Sequence, residues 1–150
     1  MATSDSRGSF SIFALCSVLL FLTLFSSAQC QIPWKYCPDT SSEKISLNNV
    51  TVTPYPIRRG QPANFYFGGV GKWIGFQTYA RLDITNSLSG QKIYSQDVLK
   101  STAVEYGQPY SYTFDYTFPN YLPVGSYNIL TNMLDVHSGV IICVQIAVNF

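Results

Sequence analysis

Residues 110–118 read YSYTFDYTF, and the spacing of their rings decides the fold. Tyr110, Tyr112, Phe114, Tyr116 and Phe118 alternate with Ser111, Thr113, Asp115 and Thr117. A period of two places five rings on one face of an extended strand and four polar side chains on the other. The strand has one face to bury. Neighbouring segments must supply the rest of an interior wide enough for it.

Working outward, the same short alternation recurs. It predicts strands near 45–53, 63–67, 76–85, 92–98, 110–118, 125–135 and 140–150, with no convincing helical period between them. In the third, Phe76, Thr78, Ala80, Leu82 and Ile84 fall on one face, and Gln77, Tyr79, Arg81, Asp83 and Thr85 on the other. Val144, Ile146, Val148 and Phe150 share a face of the last. Asn86–Gly90 and His137–Gly139 read as hairpin loops. Pro54, Pro56 and Pro62 make a kinked link or an edge. Seven short strands with turn chemistry between them point to an all-β sandwich.

The first thirty residues stand apart. Ile12–Phe25 is almost wholly apolar, Arg7 precedes it, and Ser26, Ser27 and Ala28 follow, the order of a secretory signal peptide. The alternative is an N-terminal anchor helix, for which the run is short. Cleavage fits after Ala28 or Cys30, leaving one domain over 31–150. With Cys16 and Cys30 removed, Cys37 and Cys143 remain as an even pair in an oxidising route, either bridged or as two thiols. Asn49-Val50-Thr51 is an N-glycosylation acceptor, which fits a secreted chain, with Val50 and Val52 pointing inward.

Several chemistries find little support. Once Arg7 and Asp5 are set aside, eight basic residues face seven acidic ones, and Arg58-Arg59 is the single basic pair, so no nucleic-acid footprint is present. Gly68-Gly69-Val70-Gly71-Lys72 resembles a phosphate loop only superficially. Tyr66 stands where that pattern needs Gly, Trp73 stands where it needs Ser or Thr, and no helix is predicted to follow. It reads as a flexible Gly-rich loop whose tip, Trp73-Ile74, borders an opening or touches a membrane surface. One histidine, His137, and no nucleophile-elbow sequence leave hydrolytic catalysis without its parts. Zinc would lack ligands, and no cofactor is implied. The carboxylates Asp83, Asp97, Glu105, Asp115 and Asp135 read as solvated residues.

What remains is apolar content. Aromatic residues make up 15% of the chain, and Phe65, Phe67, Phe76, Phe114, Phe118 and Tyr127 are expected to converge between the sheets, with Met133 as filler. If the sheets close, these rings are core. If they splay, the rings line a slot for an acyl chain or sterol. The residues alone leave both readings open.

Three stretches carry a resemblance. Trp34-Lys35-Tyr36-Cys37 heads the domain; 50–65 reads VTVTPYPIRRGQPANF; and 119–143 reads PNYLPVGSYNILTNMLDVHSGVIIC. Together they resemble the ML lipid-recognition domain family, most closely its plant phosphatidylglycerol/phosphatidylinositol transfer members and more distantly the Niemann–Pick type C sterol carrier. The resemblance implies an immunoglobulin-like β-sandwich of about seven strands, with an apolar cavity between the sheets. It implies a Cys37–Cys143 bridge and a secreted, monomeric, non-enzymatic lipid-binding or lipid-transfer protein. Such a protein encloses the tail of a phospholipid or sterol and touches membrane surfaces transiently.

The expected lining is Phe65, Phe67, Leu82, Ile84, Tyr112, Phe114, Tyr116, Phe118, Tyr127, Ile129, Met133 and Ile146, and Arg58, Arg59 and Lys72 are headgroup candidates. The family's short-loop cysteine pair is missing across Leu99–Val104, which predicts a more mobile loop there. The rival reading is an immunoglobulin-like protein-interaction module with a solid core.

Overall fold

The Tyr110–Phe118 stretch lies against a neighbour of matching pattern, and the sheet grows from that pair. In the computed structural model, which describes residues 32–38, 43–137 and 139–150, eight strands form rather than seven. They are β1 (Trp34–Tyr36), β2 (Ile45–Thr53), β3 (Pro62–Gly71), β4 (Gly75–Asn86), β5 (Lys92–Val104), β6 (Pro109–Thr117), β7 (Ser126–Asp135) and β8 (Gly139–Asn149). The expected signal peptide, its cleavage site and Ser138 of the last hairpin lie outside the described residues.

All pairings are antiparallel, and they make two sheets: β1-β8-β7-β4-β5 and β2-β3-β6. Face-to-face packing of a three-stranded and a larger sheet is the immunoglobulin-like arrangement. In the smaller sheet Phe65 pairs with Phe114 and Phe67 with Tyr112, so rings stand beside rings. In the larger one Leu82 pairs with Thr131, Ile84 with Ile129, and Ile129 with Ile146. These inner faces, with Val50 and Val52 of β2, form the buried core.

Four expectations need correction. Phe76 does not join the core: it is 61% exposed, while Gln77 is fully buried. A register shift between Gln77 and Tyr79 inverts the alternation at the head of β4, so the faces read from Ala80 onward do not extend back to Phe76. The segment 99–104 is strand, not a mobile loop, because Val104 and Thr102 pair with Gly75 and Gln77.

The Gly-rich segment is also largely strand, since β3 runs to Gly71. A Cβ on Gly69 would lie 2.2 Å from the Ser46 carbonyl oxygen, so glycine there permits close approach to β2 at the irregularity between Leu47 and Asn49. The eighth strand, β1, is only three residues long. It is held by pairing Trp34 with Ile146 and Tyr36 with Val144, and by a Cys37–Cys143 disulfide just beyond it.

Candidate functional site

The inward face of β6 is the expected aromatic wall. Tyr110, Tyr112, Phe114, Tyr116 and Phe118 are all buried. Phe114 stacks on Phe65, with centroids 5.1 Å apart and planes 9° from parallel, and lies 6.0 Å from Phe67. Tyr116 meets Phe118 edge-on at 4.8 Å, and Phe118 leads to Phe150 and Tyr127. Across the sandwich stand Leu82 and Ile84 of β4, Tyr127, Ile129 and Met133 of β7, and Ile146 of β8, all buried. Each of the twelve expected lining residues therefore lies in one core layer between the sheets.

Polar atoms interrupt this layer. The Tyr110 hydroxyl donates to Gln77 Oε1 and sits 3.2 Å from Met133 Sδ. Among the described residues, Gln77 Nε2, Thr131 Oγ1 and the hydroxyls of Tyr112 and Tyr116 are buried with no partner in hydrogen-bonding geometry. Buried polar atoms ordinarily have partners, and each lone one carries a desolvation cost of roughly 1–3 kcal/mol.

Burial pushes the Tyr112 hydroxyl up to about 12, opposed by the Gln77 carboxamide, which approaches without closing a bond. Burial likewise raises Tyr110 well above the ordinary phenol, with Tyr112 adding to it. Tyr116 is raised first by burial and then by the neighbouring Tyr94. All three remain neutral at physiological pH and can donate and accept. Sequence reasoning missed Gln77 and Thr131. The bulge hid the first. For the second, Thr131 follows the same alternation as Ile129 and Met133, and that signal was available.

The two long edges of the sandwich differ. On one, the Tyr36 hydroxyl donates to the Leu47 carbonyl at 3.2 Å and accepts from the Leu47 N–H at 2.9 Å, pinning β1 to β2. Lys44 N–H donates to the Ile141 carbonyl nearby at 3.1 Å. On the other edge β5 and β6 are not paired. Side chains alone span it: Tyr94 and Tyr116 lie 6.4 Å apart, and the Lys100 ammonium donates to the Thr113 carbonyl and, at 3.2 Å, to Thr113 Oγ1. The same ammonium lies 5.6 Å from the Tyr112 ring centroid. One edge is latched by bonds to the main chain of both sheets, including the backbone bond from Lys44 to Ile141, and the other by contacts that side-chain rotation can release.

The headgroup candidates do not converge. Arg58 and Arg59 precede β3 and Lys72 follows it, so a ten-residue strand about 30 Å long separates them. At the Lys72 end, two loops are joined by Gly71 N–H to the Gln108 carbonyl and Gly107 N–H to the Gly71 carbonyl. Ile74 is 74% and Tyr106 71% exposed there, and the Lys44 ammonium sits 4.5 Å over the Trp73 ring. Asn49 is exposed on β2. Among the described residues, no three His, Cys, Asp or Glu side chains gather as a metal site.

Comparison with protein families matches residues 31–150 to the ML domain. Comparison of the sequence with curated proteins returned no match. Among solved structures, the chain is similar to a Niemann-Pick type C2 protein from Japanese carpenter ant, at 11% identity and a TM-score of 0.59. That match covers 78% of this chain and 98% of the other. It is also similar to the C-terminal domain of wzt, at 13% identity and a TM-score of 0.54, covering 76% and 79% respectively. Likeness at such identities speaks for a shared sandwich fold.

Proposed function

The chain belongs to the ML domain family, and from that premise we propose that it is a secreted lipid carrier admitting an acyl chain or sterol between its sheets through the β5–β6 edge. The observation that carries this reading is the set of lone polar atoms, on Gln77, Tyr112, Tyr116 and Thr131, inside an otherwise apolar, ring-lined layer. Apolar walls with a few convergent polar groups are the usual make-up of a small-molecule site. The apolar part of a guest gains about 0.8 kcal/mol per methylene removed from water, so ten methylenes supply about 8 kcal/mol toward parting the rings. Its hydroxyl, ester or carbonyl then meets the hydroxyls of Tyr112 and Tyr116.

Admission by the β5–β6 edge follows from the asymmetry of the two edges. Separating β5 from β6 breaks no ladder, whereas opening the β1–β2 side breaks the Tyr36–Leu47 bonds. The exposed Ile74, Phe76 and Tyr106, close to Lys72 and Lys44, suit transient contact with an anionic bilayer at the same end. The disulfide and the exposed Asn49 acceptor fit passage through an oxidising secretory route.

The rival, a protein-interaction module with a solid core, draws on the close contact of Phe65, Phe114 and Phe67. Delipidated protein titrated with a fluorescent acyl lipid separates the two. Saturable uptake at one lipid per chain, competed by unlabelled lipid, is expected; absence of uptake would establish the solid core. Ile74→Asp with Phe76→Asp should slow exchange with anionic vesicles while leaving uptake of monomeric lipid intact. Equal loss of both would refute a docking role for these residues.

A further inference from the structure

At the end of the sandwich away from Lys72, a cleft of about 450 Å³ is lined by Ile57, Arg58, Arg59, Asn120, Asn149 and Phe150, together with Pro56. We propose that this cleft is a separate binding site for a phosphate group. It does not rest on the carrier reading, since it lies outside the ring layer and far from the Lys72 end.

The lining itself argues for an oxyanion. It supplies two guanidiniums and two carboxamides and contains no acidic side chain. Among the described residues, the side-chain ion pairs are Arg81–Asp97 and Lys92–Asp83, so neither Arg58 nor Arg59 is neutralised. Arg59 Nη1 donates to the Leu122 carbonyl, a neutral acceptor that fixes the guanidinium and leaves its charge uncompensated. Asn149 Oδ1 accepts from Ser126 Oγ at 2.7 Å, leaving its amide nitrogen as a donor. Two planar forks and two amide donors around one concavity match the acceptor-only shell of a phosphate.

The backbone is built to hold them. Arg58 to Gln61 forms a turn closed by Gln61 N–H to the Arg58 carbonyl at 3.3 Å, with Gly60 at φ 72° in its third position. Gly60 N–H donates to the Phe118 carbonyl at 2.7 Å, tying the turn to the end of β6. A Cβ on Gly60 would lie 2.1 Å from Asn120 Oδ1, so the Asn120 carboxamide packs directly on the turn that carries the two arginines. Phe150 closes the cleft toward the core through Phe118 and Tyr127.

The group could arrive as free phosphate or on a phospholipid, and one experiment distinguishes the sources. Isotope-labelled, full domain protein is titrated with inorganic phosphate against chloride at constant ionic strength, and backbone amide shifts are followed. Saturable shifts confined to Arg58–Gln61, Asn120 and Asn149 are expected. Arg58→Gln should weaken binding at least tenfold, and Lys72→Gln should leave it unchanged. Arg59→Gln removes an internal hydrogen bond as well, so Arg58→Gln, which has no such partner, is the deciding variant.

Phosphatidylglycerol vesicles that displace the bound phosphate identify a lipid headgroup as the ligand. Failure of the vesicles to compete, with saturation intact, identifies a soluble phosphate. Shifts that do not saturate, or that survive Arg58→Gln unchanged, overturn the site. Uptake of an acyl lipid that carries no phosphate, such as a fluorescent fatty acid, should be the same in Arg58→Gln and the parent protein, so this result stands or falls apart from enclosure of the tail.

Discussion

Replacing Tyr112 by Phe, and Tyr116 by Phe, should stabilise the lipid-free protein while weakening its hold on lipid. Each hydroxyl is buried and lacks a hydrogen-bond partner among the described residues, so each carries an unreturned desolvation cost of roughly 1–3 kcal/mol. Deleting the oxygen keeps the ring, its contacts with Phe114 or Phe118, and nearly all its volume. Each variant should therefore gain about 1 kcal/mol or more. For a domain of this size that raises the melting temperature by about 4 °C per kcal/mol, measured by calorimetry on delipidated protein. A guest that bonds to the hydroxyl loses a neutral hydrogen bond, and its affinity should fall roughly three- to tenfold in a fluorescence competition assay. Opposite signs in the two assays are the signature of a partner supplied by the ligand. If Tyr112→Phe instead lowers stability by 1 kcal/mol or more, the hydroxyl is already bonded within the protein and the reasoning fails.

Other outcomes follow from the same geometry. The Cys37–Cys143 bridge closes a loop of sequence separation 106, worth about 5 kcal/mol on the chain-entropy account, so Cys37→Ala with Cys143→Ala should lower the melting temperature by about 15–20 °C; a shift under 5 °C would mean that β1 is held by its pairing alone. Alkali should unfold the protein steeply. The fold keeps Tyr110, Tyr112 and Tyr116 protonated above the ordinary phenol value of 10.0, so the unfolded chain sheds those protons first. Their contribution is intact below pH 10 and is lost as pH rises toward about 12, where Tyr112 itself ionises. The share of the tyrosinate absorbance that belongs to these three side chains should appear only with loss of sheet circular dichroism; ionisation of all eleven tyrosines in a still-folded protein would contradict the burial of these hydroxyls. Phe114→Trp, placed against Phe65 and Phe67, should cost roughly 1–3 kcal/mol by overpacking and reduce the lipid taken up per chain. Undiminished uptake would remove β6 as a wall.

Strict alternation made β6 readable, because its inner set of Tyr110 to Phe118 contains no irregularity and its partner β3 offers Phe65 and Phe67 in register. The same logic failed at Phe76. A one-residue slip between Gln77 and Tyr79 costs nothing that a single sequence displays, yet it exchanges the faces and puts an amide where a ring was expected. Strand β1 escaped a periodicity search because three residues carry hardly one period. Its Trp34 and Tyr36 do alternate, and they form an edge-to-face pair 5.4 Å apart on the inner side. The arginines and Lys72, all headgroup candidates, stand about a dozen residues apart in sequence. In an extended strand that spacing is the length of the molecule, and only the pairing of β3 from Pro62 to Gly71 revealed it. The buried hydroxyls were visible all along as Tyr, rather than Phe, at 110, 112 and 116; what the sequence lacked was any sign that the oxygens of Tyr112 and Tyr116 end without partners while that of Tyr110 meets Gln77.

The most direct measurement is the mass of what leaves the fold. Protein purified from a secreting host, without detergent, is split between native mass spectrometry and organic extraction followed by lipid mass spectrometry. The account predicts a bound species near one lipid per chain, shed when the domain is denatured and reloaded when the delipidated domain meets lipid vesicles. A chain that flies at its bare polypeptide and glycan mass, yields no lipid on extraction and gains none from vesicles would show that its rings fill the space between the sheets by themselves.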